Sequence, residues 1–175
     1  LLNFYYMQTG NSNRVLFDRI ANSIHVQKHD RIPYFHCHGV IPINGYSARK
    51  GHLASDKLVL TEDNYLELAN NSFSWQATSF IDNCMNRRVV FCGVSLTDAN
   101  MRRWLSWIHA NKMAEFKENG LDCKDATEHF WICKKPNTIQ EKIWLEESVA
   151  HLGVRLVWID EWNQTGKVLK RMLGL

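Results

Sequence analysis

The sequence has no CxxC pair, no long apolar run and no massed charge, and each absence removes a class of function. Its five cysteines, Cys37, Cys84, Cys92, Cys123 and Cys133, stand apart and are odd in number. A zinc ribbon needs paired thiolates and a disulfide framework an even set, so free thiols in a reducing cytoplasm are expected. The apolar stretches are short and interrupted, where a membrane-spanning helix needs about 20 such residues. A net charge of +3 over 175 residues, with the basic side chains scattered, gives no footprint for direct nucleic-acid binding. Glycine is sparse as well: the nine residues are dispersed, and the opening "LLNFYYMQTG" holds no initiator Met and no strand–glycine–helix turn. The chain is therefore expected to be part of a longer domain.

What is present is ordinary for a globular protein: 45% hydrophobic and 22% charged residues, enough for one core over residues 1–175. "TGNSN" (9–13) reads as a turn. A strand is expected at Ile32–Phe35, with a loop after Pro42, and a short one in "KLVL" (57–60). Thr61 has the character of a helix N-cap, with Glu62 and Asp63 suited to the first turn. A helix over Trp75–Asn86 leads to "RVVFCGV" (88–94), a β-rich run bounded by Arg and Gly. Thr97 or Asp98 then caps a helix on which Met101, Trp104, Leu105 and Ile108 keep helical spacing. "HFWIC" (129–133), a helix from Thr138 to His151 stopped by a C′ glycine at Gly153, the strand "VRLVWI" (154–159) and an amphipathic helix from Gln164 to Leu173 complete the order. That last helix is basic, in a pattern commoner in packed terminal helices than in membrane binders. The seven tryptophans, Trp104 and Trp144 among them, are expected in the core. Trp75 could also line a pocket or an oligomer contact.

Strands apolar on both faces, alternating with helices, predict an α/β fold: a Rossmann-like parallel sheet with helices on both faces. Ligands in such sheets bind beyond the carboxyl ends of the strands. That rule selects His36–Gly39, Thr61, Gly93–Asp98 and Asp160. Two of these stretches carry unusual residues, "PYFHCHGVIP" (33–42) and "CGVSLTD" (92–98).

In the first stretch, titratable His36 and His38 interrupt an apolar run, and three readings are open. A core histidine would bond a carbonyl. A catalytic histidine would serve as a base near neutrality, its ordinary pKa being about 6.5. A metal centre would need further ligands, with Cys84 or Cys92 the distant candidates, and no third ligand has telling spacing, so no metal is assigned. In the second stretch, "GVSL" lacks the second glycine of a G-x-S-x-G nucleophile elbow, so Ser95 suits a ribose or phosphate hydrogen bond, or a plain turn, better than attack. Asp98 is either a cap alone or also a ligand contact.

"YFHCHGVIP", "KLVLTEDNYLELANNSFSWQ", "RRVVFCGVSLTDANMRRWL" and "HLGVRLVWID", taken in order, resemble the sirtuin-like domains of bacterial anti-phage defence proteins. The resemblance runs from about Pro33 to the C-terminal helix. It implies an NAD-binding Rossmann-like domain in which the histidine before a glycine, here His38 before Gly39, acts at the nicotinamide ribose. It carries over Gly93, Ser95 and Asp98 as residues lining the dinucleotide. It also implies an asparagine in a motif like "TxNYD" upstream of the histidine; Asn3 stands in that place, with Tyr5 where aspartate is usual. Divergent members lack the four-cysteine zinc module, as this chain does. The "GAGxS" turn that holds the diphosphate in the family has no counterpart here, which makes the chain resemble the C-terminal part of such a domain.

The expectation that follows is an NAD glycohydrolase, releasing ADP-ribose and nicotinamide, with NAD as substrate. Its setting would be a homo-oligomer or a larger multidomain defence protein in the cytoplasm, with no membrane partner. A non-catalytic oligomerisation or sensing module is the second reading, and a zinc-dependent hydrolase the third.

Overall fold

The computed structural model describes residues 17–20, 29, 31–37, 59, 61–71, 73–123, 129–172 and 174. The chain divides into two compact units, residues 1–77 and 78–175. Asn3, His38 and Gly39 lie outside the described residues, as do the "TGNSN" turn and all of "KLVL" except Val59, which belongs to no regular element.

In the first unit β1 (Phe17–Ile20) and β2 (Ile32–Phe35) pair in parallel, Phe17 opposite Ile32 and Ile20 opposite Phe35. The strand expected at Ile32–Phe35 forms there. It alternates, with Ile32 and Tyr34 exposed and Pro33 and Phe35 half-buried, as period-2 geometry requires of a strand with one covered face. Helix α1 (Glu62–Asn70) begins where Thr61 Oγ1 accepts the Asn64 amide at 3.2 Å, and Glu62 and Asp63 sit at the positive end of its dipole. Helix α2 (Trp75–Asn86), most of which belongs to the second unit, opens in the same way, Ser74 Oγ accepting the Ala77 amide at 3.2 Å.

The second unit holds a parallel sheet in the order β3 (Val90–Phe91), β4 (His129–Lys134), β5 (Val154–Ile159). Helix α3 (Ala99–Glu118) connects β3 to β4, and α4 (Ile139–Ala150) connects β4 to β5. A 3-10 turn, Trp162–Gln164, leads into α5 (Thr165–Met172). This alternation of parallel strands and helices is the expected Rossmann-like α/β arrangement.

The register sets Trp131 between Phe91 and Leu156, and Cys133 beside Trp158. Phe91, Trp131, Cys133 and Val154 share one buried cluster with Leu105 of α3 and Val149 of α4, so both connecting helices lean on that cluster. Every second strand residue feeds it, and the helices contribute at their own spacing. Buried Cys84 of α2 completes the packing, with the Phe80 ring tilted against that of Trp104, centroids 5.7 Å apart.

Two expectations change. The run "RVVFCGV" yields a ladder of only Val90 and Phe91, and Gly93, with a left-handed φ of 71°, turns the chain out of extended geometry two residues later. The tryptophans do not all reach the core: Trp107, Trp144 and Trp162 are exposed. On α3 the inward face belongs to Met101, Leu105 and Ile108, which leaves Trp107 outside, 5.3 Å from the Arg103 guanidinium. On α4 Leu145 and Val149 face inward, and their neighbour Trp144 is turned out.

Candidate functional site

Parallel strands place all their carboxyl ends on one edge of the sheet, and β3 leaves that edge through residues 92–98. Each part of this turn has a local cause. Gly93 and Leu96 both adopt left-handed backbone, with φ of 71° and 52°. A β-carbon added at Gly93 would meet nothing within 4 Å, so the glycine serves the conformation and not the packing. For a leucine the left-handed region costs about 1–2 kcal/mol. The Leu96 side chain, 2% exposed and part of the core cluster, offsets this with roughly 1.5–3 kcal/mol of burial. Leu96 thus anchors the turn while its neighbours Val94, Ser95 and Thr97 are exposed.

Two side-chain hydrogen bonds hold the backbone of this turn. Trp131 Nε1 of β4 donates to the Val94 carbonyl at 2.9 Å, and Arg102 Nη1 of α3 donates to the Leu96 carbonyl at 3.1 Å. The turn then enters α3 through Asp98, the N-cap, whose Oδ1 accepts the Met101 amide at 2.7 Å. Of the two capping residues the sequence allowed, Asp98 takes the role. Ser95 Oγ lies 2.7 Å from Thr97 Oγ1. A hydroxyl is no general base at neutral pH, so the pair forms a polar rim suited to hydrogen-bonding a hydroxylated or phosphorylated ligand. It is not an activated nucleophile.

Elsewhere on this edge Lys134 closes β4 and bonds both Glu161 carboxylate oxygens, at 2.9 and 3.0 Å. Asp160, after β5, is exposed, and its amide donates to Gln164 Oε1 at 2.9 Å. The structure therefore brings Gly93, Ser95 and Asp98 together in one turn, with Asp160 at the exit of another strand of the same sheet.

The histidine stretch belongs to the first unit, and its described part ends at Cys37. The His36 amide donates to the Ile20 carbonyl at 2.8 Å, and its ring meets Tyr34 edge-on, with centroids 4.6 Å apart. Burial pushes the Cys37 thiol above its ordinary range. In the second unit burial pushes the thiols of Cys84 and Cys133 up to about 12, so both stay protonated at neutral pH and are poor metal ligands as they stand. Among the described residues no group of three or more His, Cys, Asp or Glu side chains is placed to hold a metal ion.

Sequence reasoning missed Arg102 and Trp131. Arg102 left a faint signal, because a cation in the first turn of a helix opposes the dipole and calls for a local reason. Trp131 left none, since the acceptor of its indole N–H lies 37 residues away in sequence.

A family model described as SIR2-like domain matches residues 5–152. No curated protein matches the chain.

Proposed function

The chain belongs to the SIR2-like domain family, whose function is NAD-related, and from that premise we propose that it consumes NAD as a glycohydrolase. The observation that carries the reading is the family match itself. The β3–α3 turn supports it, because it presents hydroxyls beyond the carboxyl end of a parallel strand, where dinucleotides bind in such sheets. Among the described residues no helix is long and apolar enough to cross a membrane.

In the reaction, water attacks the anomeric carbon of the nicotinamide ribose as the bond to nicotinamide breaks. The products are ADP-ribose, nicotinamide and one proton. Positive charge spreads onto the ribose ring in the transition state, so the protein's work is to position, to exclude bulk water and to supply a base. His38 takes the base role, receiving a proton from a ribose hydroxyl or from the attacking water. Asn3 assists at the ribose. Gly39 allows close approach of the nucleotide to the backbone. Ser95 donates to a ribose or phosphate oxygen, and Gly93 and Asp98 line the same turn. The setting is a cytoplasmic anti-phage defence protein, either a homo-oligomer or one with further domains, in which loss of NAD halts an infected cell.

The test is NAD consumption by the full-length protein, with chromatography of the products, compared with His38→Ala. Release of nicotinamide and ADP-ribose that falls by at least 100-fold in the variant is expected, the usual scale for removing a general base. NAD binding without turnover, under conditions that activate the intact defence system, would instead mark a binding module. Turnover that requires an acylated lysine peptide would mark a deacylase.

A further inference from the structure

We infer that Arg102 is a positioning residue for the Gly93–Asp98 turn, acting together with the indole N–H of Trp131. The inference rests on the NAD-site reading of that turn and deepens it. The turn holds a left-handed leucine, a conformation that persists only where surrounding contacts fix it. Burial of Leu96 supplies one such contact. The others are the two hydrogen bonds to its carbonyls, Trp131 Nε1 to Val94 at 2.9 Å and Arg102 Nη1 to Leu96 at 3.1 Å.

Arg102 does more than bond the turn. Its Nη2 donates to the Ser148 carbonyl at 2.8 Å, in the last turn of α4, where helix carbonyls lack intrahelical partners. The guanidinium is thereby drawn to the negative end of one helix dipole, which offsets its poor placement in the first turn of α3. One planar group with fixed donors ties the entry of α3, the turn and the end of α4 together. The Arg102 backbone adds to this, its amide donating to the Asp98 carbonyl at 3.0 Å.

The effect on the site follows from which groups remain. The Val94 and Leu96 carbonyls both accept from the protein, so the intervening Ser95 is held with its hydroxyl against Thr97 on the exposed side. Lysine at position 102 keeps the charge but replaces the rigid, planar two-nitrogen fork with a single ammonium on a flexible stem, which is not pre-organised to bond both carbonyls.

The experiment compares the full-length protein with its Arg102→Lys and Trp131→Phe variants. Amide hydrogen exchange reads the turn, and calorimetry reads the affinity for carba-NAD, an analogue whose glycosidic bond is not cleaved. In Arg102→Lys, exchange at residues 93–98 should accelerate at least tenfold while β5 amides keep their protection, and affinity should fall about tenfold. Trp131→Phe should show the same pattern more weakly. Unchanged turn exchange in both variants overturns the positioning role. Faster exchange with unaltered affinity overturns the link between turn and ligand. A wild-type protein that does not bind the analogue overturns the nucleotide reading and that link with it, and this is distinguishable because the exchange result still reports the turn by itself.

Discussion

Gly153→Ala should be among the most destabilising single-methyl changes in the second unit, for two separable reasons. Gly153 has a left-handed φ of 67°, following the His151 cap of α4, where the sequence pattern had called for a helix-stopping glycine. Placing alanine there costs roughly 1–2 kcal/mol in backbone strain. An added β-carbon would also lie 2.6 Å from His109 Nδ1 and 3.0 Å from its Cγ, against the ~3.5 Å of a relaxed contact. His109 is half-buried on α3, so the ring must shift within a packed region, and overpacking of this kind costs about 1–3 kcal/mol. The sum is about 2–5 kcal/mol, against a typical total stability of about 5–15 kcal/mol. Urea denaturation followed by circular dichroism measures it. The same substitution made with His109→Ala should cost only the backbone part, about 1–2 kcal/mol, leaving a coupling of about 1–3 kcal/mol between the two sites. An equal cost in both backgrounds would refute the steric argument; a cost below about 1 kcal/mol would refute both parts.

Asp98→Ala removes the acceptor 2.7 Å from the Met101 amide and should cost about 1 kcal/mol of stability, whereas Asp98→Asn keeps a good cap and should cost little. If Asn restores stability but not NAD turnover, the carboxylate contacts ligand as well as capping α3; if it restores both, the residue is a cap alone. Burial, followed by the nearby charges of His151 and Lys112, holds the His109 pKa below its ordinary 6.5, so the unfolded chain binds more protons there than the folded one. Its contribution is therefore present above pH 6.5 and lost as the pH falls through the lowered value. Melting temperatures recorded from pH 8 to 5 should decline on the acid side, and His109→Gln should decline less steeply.

Local physics made much of the fold legible. A helix N-cap acts on an amide three residues ahead, so Thr61 and the choice between Thr97 and Asp98 could be read without tertiary knowledge; Thr138, expected only as the start of its helix, caps it too, its Oγ1 accepting the Glu141 amide at 3.2 Å. β5, buried at both ends, announced itself through an apolar run broken only by the exposed Arg155. The turn containing Ser95 followed from the strand-end rule and from resemblance, and the role of His38 from resemblance alone, because a histidine in an apolar run has several satisfied fates.

What only tertiary structure decided are the interactions that join distant segments. Leu96 carries no local sign that it will be left-handed, since its strain is tolerable only once its side chain enters a core built from β3, β4, β5 and both connecting helices. Which tryptophans are buried depended on a helix rotation that packing, not periodicity, settled for Trp107 and Trp144. Trp131 reaches the turn across 37 positions of chain, and Arg102, which bonds the turn from six residues away, reaches the Ser148 carbonyl across 46. Sequence alone determined where the helices begin and which turn bears hydroxyls, because those are matters of a few adjacent residues. The shape of that turn was decided by partners the chain brings near only by folding.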